Sequence, residues 1–335
     1  MVPDGETCLL LGVDGGGTHT RAVVADTTGR LLGQGGSGTA NQATSGAATA
    51  VGAIMNAVQT ACARAGCRAV DIAAACFGLA GLDRPGDEDI YAVSGRALDL
   101  RRAPLLVNDA VIAWAGAAGG RPGVALIAGT GSVAYGRDAG GREHRAGGWG
   151  GPFGDEGSAF WIGTEAVRRV LRGLDARDAP AGFAARIAAA AGFSEPADLC
   201  RLGRLDPGRG IPLEVALGAL APAVVECAEE GDVDAQAIVG RAGRELADLA
   251  GAVVTALSLA GARPAVYGLG SVLYRPGSPP TAVARATSRH LQAEWGLCLQ
   301  PPVHSALVGA LILAYEMLAG RSPMPDLVAA WSNAQ

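Results

Sequence analysis

Lysine is absent from the 335 residues, so all 27 basic side chains are arginine. This absence excludes a Walker P-loop and a protein-kinase catalytic lysine, both of which place an ammonium group on nucleotide phosphates. It also excludes Schiff-base chemistry on an enzyme amine. The net charge of −5 argues against the basic surface that nucleic-acid binding requires. A bound polyanion would have to be held chiefly by backbone N–H groups, hydroxyls and a divalent ion.

Cysteine and histidine are few and scattered. The seven cysteines contain no C-x-x-C pair, and none of the four histidines lies at metal-ligand spacing, so neither a disulfide framework nor a structural metal is predicted. The longest apolar stretch, residues 306–315, is shorter than the roughly 20 residues that span a bilayer. Residues 1–8 carry two acidic and no basic side chains, unlike a signal peptide. We therefore expect a cytoplasmic protein without a nucleic-acid or membrane partner.

Strand-like and helix-like patterns alternate along the chain. Residues 8–13, 21–25 and a third run from Arg30 predict an antiparallel meander. Further strands are predicted at 72–78, 105–107, 124–128, 264–269 and 297–299, and helices at 42–66, 158–174, 183–191, 213–229, 235–259 and 303–318. The tail after Gly320, with its two prolines, is expected to be peripheral.

An internal repeat relates the opening residues to a segment 112 positions further on. This shift places Gly17 on Gly129, Thr18 on Thr130, Asp26 on Asp138, Gly29 on Gly141 and Gly35–Gly36 on Gly147–Gly148. The matches cover both a glycine-rich turn and the hairpin after it, which indicates a duplicated unit. The repeat predicts two similar domains that face each other across a cleft.

Three glycine-rich turns follow apolar runs, at 14–18, 129–132 and 268–271. Glycine allows close approach of a ligand to the backbone, and consecutive N–H groups can point at an anion. Each turn alone is explained as well by an ordinary hairpin. Three turns, two of them related by the repeat, favour a nucleotide-phosphate site. Asp14, at a strand end, is placed to hold Mg²⁺ directly or through water.

Asp109 and the glycine-rich loop 147–158 are candidates for the chemistry. Asp109 lies between a strand and a helix, where it is either an N-cap or a general base for phosphoryl transfer to an alcohol. In the loop, Asp155 can accept sugar-type hydroxyls and Trp149 can form a wall. A disordered linker is the weaker alternative, because Trp149 and Phe153 are expected to be buried. Asn41 is either a helix N-cap or another polar contact.

Five motifs stand in a recognisable order: 14–20, 108–110, 129–132, 147–150 and 154–159. Together they resemble the N-acetylglucosamine kinases of the BadF/BadG/BcrA/BcrD ATPase-like family, in the actin/hexokinase/Hsp70 superfamily. The resemblance implies an α/β fold of two ribonuclease-H-like (actin-like ATPase) domains facing each other across an ATP and sugar cleft. The first domain would comprise residues 1–112 with the C-terminal helix 303–320, and the second residues 113–302 with helical insertions.

The resemblance also implies roles for single residues. Asp109 would be the base that deprotonates the sugar 6-hydroxyl, and Asp14 would hold Mg²⁺ through water. The sugar would be held by Asn41, Asn108, Gly147, Gly148, Trp149 and Asp155. ATP would be held by Gly16, Gly17, Thr18, Gly129, Thr130 and Gly131, with Gly270 and Ser271 near the adenosine. ATP and Mg²⁺ are thus the implied cofactors, and a homodimer is the implied assembly.

The residues after Asn41 do not identify which amino sugar is the substrate. The segment 42–44 differs from the acyl pocket of the family's vertebrate members, so glucosamine and N-acetylmuramate are alternatives to N-acetylglucosamine. An ATPase activator of a radical dehydratase or reductase is a different class, but no cysteine flanks Asp109 or Gly129 to hold its iron–sulfur cluster. A non-catalytic sugar sensor would need no base, and the presence of Asp14 and Asp109 argues against it.

Overall fold

The computed structural model describes residues 7–84, 86–204, 211–259, 261, 263–275 and 277–333. The chain divides into two units: unit 1 comprises Met1–Arg121 and Pro302–Gln335, and unit 2 comprises Pro122–Pro301. The division falls after the predicted boundary at residue 112, which lies within a helix of unit 1.

The strands and helices alternate as an α/β chain requires. The strands are β1 (Leu9–Gly15), β2 (Thr20–Asp26), β3 (Leu31–Ser37), β4 (Ile72–Leu79), β5 (Leu105–Asn108), β6 (Gly123–Ala128), β7 (Ser132–Arg137), β8 (Glu143–Gly147), β9 (Val266–Leu269) and β10 (Leu299–Gln300). The helices are α1 (Gln42–Ser45), α2 (Ala47–Ala65), α3 (Asp87–Ala97), α4 (Asp109–Ala118), α5 (Ala159–Leu174), α6 (Ala184–Ala190), α7 (Leu213–Gly218), α8 (Ala221–Glu229), α9 (Val233–Ala256), α10 (Ala282–His290), α11 (Ala306–Ala319) and α12 (Pro325–Asn333). The predicted helix 213–229 is thus two helices, and Pro222, which lacks an N–H to continue a helix, lies in the first turn of α8.

Unit 1 is built on a five-stranded sheet in the order β3-β2-β1-β4-β5. The meander β1–β3 is antiparallel, whereas β1, β4 and β5 are mutually parallel. Parallel strands end at the same edge of a sheet, where α/β proteins commonly bind ligands. The C-terminal edge of this sheet therefore brings together Asp14, the residues after Leu79 and Asn108.

Helix α2 packs on one face of this sheet and α11 on the other. A Cβ atom at Gly33 or Gly35 of β3 would collide with carbonyl oxygens of α2, so these two glycines permit close packing of the helix. On the other face, a Cβ at Gly12 would lie 3.1 Å from the Ala310 Cβ of α11. The side chains between α2 and the sheet, including Leu11, Val24 and Ile54, are fully buried and form the core on that face.

The tail after Gly320 is packed, so the expectation that it is peripheral is wrong. Trp331 of α12 is fully buried, and its Nε1 donates to the carbonyl oxygen of Asp26 at 3.1 Å. Its ring also meets the Tyr315 ring edge-on, with 6.3 Å between the centroids. Pro325 begins a new helix, because proline fits the first turn of a helix.

Unit 2 repeats the topology of unit 1. Its sheet order is β10-β9-β6-β7-β8, so β6, like β1, pairs with an antiparallel neighbour on one side and a parallel one on the other. The repeat extends to single hydrogen bonds: Asp26 Oδ1 accepts from the N–H groups two and four residues ahead, and Asp138 Oδ1 does the same. The duplication and the predicted α/β fold class are therefore confirmed.

Helix α9 crosses the sheet of unit 2, with fully buried residues such as Leu246, Ala250 and Val253 in the core of this unit. In the described part of the chain, no helix is both long and apolar enough to span a membrane.

Candidate functional site

Asp14 and Arg21 occupy facing positions next to the turn that connects β1 and β2. With Gln34 and residues 305–307 they line a cavity of about 430 Å³ in unit 1. Burial raises the pKa of the Asp14 carboxyl, and the Arg21 guanidinium opposes that rise. Ser305, which caps α11 by accepting from the Val308 N–H, also borders the cavity. The cavity thus combines a carboxylate, a guanidinium and the N-terminus of a helix, all suited to a metal-bound polyanion.

The loop after Asp14 is held at its base and exposed at its tip. The Gly16 N–H donates to the His19 carbonyl at 2.9 Å, and the Gly16 carbonyl accepts from the Ala40 N–H at 3.2 Å. Gly17 and Thr18 are exposed, and a Cβ at Gly17 would meet no atom within 4 Å. Packing within the chain therefore does not explain the glycine at 17, whereas close approach of a ligand to the backbone would.

Asn108, not Asp109, is the N-cap of α4. Its Oδ1 accepts from the Ala110 N–H at 3.0 Å, which makes Asp109 the first residue of the helix. The N-cap interpretation of Asp109 is therefore wrong. The Asp109 side chain is half-buried at the C-terminal edge of the sheet.

Asn41 reaches the same edge of unit 1 from a different segment. Its Oδ1 caps α1 by accepting from the Ala43 N–H at 2.9 Å. The buried hydroxyl of Tyr91 lies 2.9 Å from the carbonyl oxygen of Ala40 and 3.1 Å from that of Ala80, and it accepts from the Gln42 N–H. This hydroxyl ties the segment after β3 to the end of β4.

The charges of three carboxylates act on the Tyr91 hydroxyl. Burial is the main cause that raises the pKa of Tyr91, and the charges of Asp87, Asp83 and Asp109 raise it further. These acidic groups follow two different strands of the sheet. Unit 1 therefore brings together Asn41, Asn108 and Asp109, which the sequence proposed as sugar-contacting groups. Tyr91, Asp83 and Asp87 have no motif of their own, so sequence reasoning missed them.

In unit 2 the turn 129–132 and the loop 147–158 are joined. The Ser132 N–H donates to Asp155 Oδ1 at 3.1 Å, and the Gly148 N–H donates to the Ser132 carbonyl at 2.9 Å. A Cβ at Gly131 would lie 2.9 Å from both Asp155 carboxylate oxygens. The proposed phosphate turn therefore packs directly against the proposed sugar loop, and Gly131 leaves the space that Asp155 needs.

Asp155 has a left-handed backbone conformation, with φ of 61°. Burial raises the pKa of its carboxyl, and the hydrogen bond from the Ser132 N–H opposes the rise. A non-glycine residue at positive φ is uncommon and marks a position where the local structure is constrained. The positive φ and the hydrogen bond from the Ser132 N–H together hold the Asp155 carboxyl in a defined place.

Trp149 and Phe153 are exposed, with 79% and 87% of their surface accessible. The expectation that they are buried is therefore wrong. The glycines on either side of Trp149 have φ of 73° and 89°, and Arg145 donates to the Gly148 carbonyl at 3.0 Å. The loop is thus a shaped turn that presents Trp149 outward, where an aromatic face can stack on a sugar ring.

Ser271 lines a second, smaller cavity of unit 2, of about 60 Å³. Gly270 has φ of 91°, and a Cβ there would collide with the carbonyl of Ala128, so this turn requires glycine. The other lining residues come from α5, α7, α8 and the loop before α10: Ala159, Ile162, Gly218, Ala221, Pro222, Val225, Val272, Arg275 and Thr281. Most are small and apolar and lie far apart in the chain, so no sequence signal marked them.

A metal ion held by Asp14 would need most of its ligands from waters or substrate phosphates. Among the described residues, no group of three or more His, Cys, Asp and Glu side chains is arranged to hold a metal ion. Mg²⁺ is commonly bound by one or two carboxylates together with waters and substrate phosphates. A single carboxylate in an open cavity fits that mode.

The curated proteins that this chain resembles are named as kinases of amino sugars. The chain is 34% identical over 168 residues to the N-acetylmuramic acid/N-acetylglucosamine kinase of Clostridium acetobutylicum, covering 50% of this chain and 55% of that protein. It is 32% identical over 166 residues to the glucosamine kinase GspK of Vibrio cholerae, covering 49% of this chain and 55% of the relative. The chain thus matches about half the length of these curated relatives.

Solved structures show the same fold. A Chromobacterium violaceum protein provisionally named N-acetylglucosamine kinase superposes with a TM-score of 0.72 at 27% identity, covering 92% of this chain and 99% of that one. A ROK hexokinase from Thermus thermophilus superposes with a TM-score of 0.56 at 20% identity, which supports the fold alone. The profile of the BadF/BadG/BcrA/BcrD ATPase family matches residues 11–314, nearly the whole chain. From its sequence and its repeated fold, this chain belongs to the BadF/BadG/BcrA/BcrD ATPase family.

Proposed function

We propose that this protein is an ATP-dependent kinase that phosphorylates the 6-hydroxyl of an amino sugar, with N-acetylglucosamine as the first candidate. The observation that carries the proposal is the C-terminal edge of the unit 1 sheet, where Asp109, Asn108 and Asn41 converge. A half-buried carboxylate at the end of a strand suits proton removal from an alcohol. The relatives named as amino-sugar kinases support the same reaction.

Asp109 is the proposed general base. It accepts the proton of the sugar 6-hydroxyl as the sugar oxygen forms a bond to the terminal phosphorus of ATP. The bond from that phosphorus to the bridging oxygen breaks, and ADP leaves with the electron pair. Positioning and charge stabilisation supply most of the catalysis in such transfers, so the orientation of Asp109 is as important as its basicity.

The phosphate side of the reaction is assigned to the glycine turns. Backbone N–H groups of Gly16, Gly17 and Thr18 and of Gly129, Thr130 and Gly131 would bind phosphate oxygens. Asp14 would hold Mg²⁺ through water, and the ion would neutralise charge on the phosphates. Arg21 lines the same cavity as Asp14 and adds a cation that the sequence analysis did not assign.

The nucleoside side is assigned to unit 2. Gly270 and Ser271 border the small apolar cavity described above, whose Arg275 could lie over a purine ring. A cavity of about 60 Å³ would have to widen to admit adenosine. We assign this cavity to adenosine because its walls are mainly apolar and a glycine turn forms one side.

We assign to the sugar the residues that the family resemblance implies: Asn41, Asn108, Gly147, Gly148, Trp149 and Asp155. The relatives act on N-acetylglucosamine, N-acetylmuramic acid or glucosamine by name, so glucosamine and N-acetylmuramate remain alternatives. The structure adds that Gln42, next to Asn41, donates to Asp87 at 2.8 Å and to the Gly81 carbonyl at 3.2 Å. The Gln42 amide is thus fixed by the chain itself, and we expect acyl selection to come from other groups.

The proposal is tested by ADP release from Mg·ATP over a panel of hexoses and amino sugars, with wild type and Asp109→Ala. We expect stimulation by one or more amino sugars and a loss of about 10²–10⁴-fold in kcat for the variant. Calorimetry with the same sugar should show that Asp109→Ala still binds it. If no sugar stimulates ADP release, the proposed function is wrong; if Asp109→Ala keeps most activity, the base is misassigned.

A further inference from the structure

The residues 80–84, which follow β4, connect two segments assigned to the sugar. We call them the β4 loop. At one end, the Gly81 carbonyl accepts from the Gln42 side chain, next to Asn41. At the other end, Asp83 Oδ1 accepts from Asn108 Nδ2 at 3.0 Å. The β4 loop is therefore hydrogen-bonded both to the residue next to Asn41 and to Asn108, which precedes Asp109.

Asp87, at the start of α3, holds the β4 loop in shape. Its Oδ2 accepts from the backbone N–H groups of Asp83 and Arg84 at 3.1 and 2.8 Å. Its Oδ1 accepts from Gln42 Nε2 at 2.8 Å. A carboxylate that accepts several hydrogen bonds forms strong, charge-assisted contacts. The backbone of Asp83 is thus fixed before its side chain meets Asn108.

The side-chain oxygen of Asn108 has a donor as its partner, and the side-chain nitrogen has acceptors. Its Oδ1 accepts from the Ala110 N–H, whereas its Nδ2 donates to Asp83 and lies 3.4 Å from the Leu82 carbonyl. A rotation that exchanged oxygen and nitrogen would place the oxygen against the Asp83 carboxylate and the NH₂ group against a backbone N–H. Both new contacts would be repulsive. The Asp83 carboxylate therefore reinforces the amide orientation in which Asn108 caps α4.

We propose that Asp83 is a positioning residue for phosphoryl transfer, acting through Asn108 to hold the first turn of α4 and with it Asp109. This inference rests on the proposed kinase function and assigns to that reaction a residue that lies outside the family motifs noted above. Asp83 is exposed at the C-terminal edge of the sheet, and its carboxylate accepts from Asn108 Nδ2 at 3.0 Å.

The inference predicts a specific pattern in four variants: Asp83→Ala, Asp83→Asn, Asn108→Ala and the Asp83→Ala/Asn108→Ala double. We expect Asp83→Ala to lower kcat for the stimulating sugar about tenfold, since small misplacement of a reacting group is costly. Asp83→Asn keeps an acceptor oxygen, so it should stay within about twofold of wild type. KM for ATP should not change. In the Asn108→Ala background, Asp83→Ala should cause no further loss, because residues that act through one contact are not additive.

Asp89→Ala is the matched control, because Asp89 is an exposed acid in the first turn of α3. Thermal unfolding of every variant separates loss of positioning from loss of fold. If Asp83→Ala matches Asp89→Ala, or if its effect multiplies with that of Asn108→Ala, the positioning role is wrong while the kinase assignment stands. If the wild type releases no ADP with any sugar, the kinase assignment and this role are both overturned.

Discussion

Arg21 lies directly opposite Asp14 in the antiparallel register of β1 and β2. Both side chains border one cavity, and the positive charge of Arg21 lowers the pKa that burial of Asp14 raises. In a chain without lysine, this pairing places a permanently charged group beside the proposed metal carboxylate. Arginine keeps its charge at all working pH values and can bind phosphate through two N–H groups.

Arg21→Gln should therefore weaken nucleotide binding. We expect KM for ATP to rise about tenfold, because a charge-assisted contact to phosphate is lost. KM for the sugar should stay within about twofold, since the sugar is assigned to other residues. Arg30→Gln is the control, because Arg30 is exposed on the same antiparallel meander. Equal effects of the two variants would show that Arg21 has no particular role, and steady-state kinetics with each substrate varied in turn gives the comparison.

Substitutions at two glycines of the same turn should affect nucleotide binding and sugar binding differently. A Cβ at Gly131 would lie 2.9 Å from the Asp155 carboxylate, whereas a Cβ at Gly129 would meet no atom of the chain within 4 Å. Gly131→Ala should therefore displace Asp155 and raise KM for the sugar about tenfold. Gly129→Ala should leave KM for the sugar unchanged and raise KM for ATP, if phosphate approaches that backbone. The reverse pattern, or identical effects, would contradict the assignment of the turn.

Asp155→Asn should stabilise the fold while removing activity. Because burial raises the pKa of Asp155 above the usual 3.8, its stabilising contribution is complete below 3.8 and is lost as pH rises through the raised pKa. Asparagine keeps an acceptor for the Ser132 N–H and adopts positive φ more readily. Thermal unfolding at a series of pH values should show a higher Tm for the variant at pH 7, with the difference shrinking toward pH 3.8. A difference that grows as pH falls would refute the assigned cause.

Trp331→Ala should destabilise unit 1 without altering KM for either substrate. The indole is fully buried, and its Nε1 hydrogen bond to the Asp26 carbonyl would be lost with it. Removal of a buried tryptophan costs about 3–5 kcal/mol. Met324→Ala, in the same tail with 63% of its side chain exposed, should cost less than about 0.5 kcal/mol. Denaturant unfolding measures both, and a loss for Trp331→Ala no greater than for Met324→Ala would mean that the tail does not stabilise the fold.

Most of the order of strands and helices could be predicted from the sequence because its signals are local, but α3 and α12 were not predicted. Alternating and helical hydrophobic periods, and glycine or Asx turns, act within a few residues of backbone. The repeat is a stronger case: the Asp26 and Asp138 turns match in sequence and in their hydrogen bonds. At the candidate site, the sequence allowed Asp109 as the N-cap of α4, whereas the structure gives this role to Asn108.

The sequence by itself determined the α/β pattern, the duplication and the glycine turns, since these depend on short-range sterics and turn chemistry. Only the tertiary structure showed that Asp83 holds Asn108, 25 residues away, and that Trp331 reaches Asp26 across 305 residues. Such contacts depend on the order of the strands, which decides which strand ends lie at the same edge of the sheet. They also depend on which helices cover the faces of the sheet. The physical reason is that a hydrogen bond or a packed ring between distant segments leaves no periodic pattern in either segment. It arises only when the fold brings the two segments together.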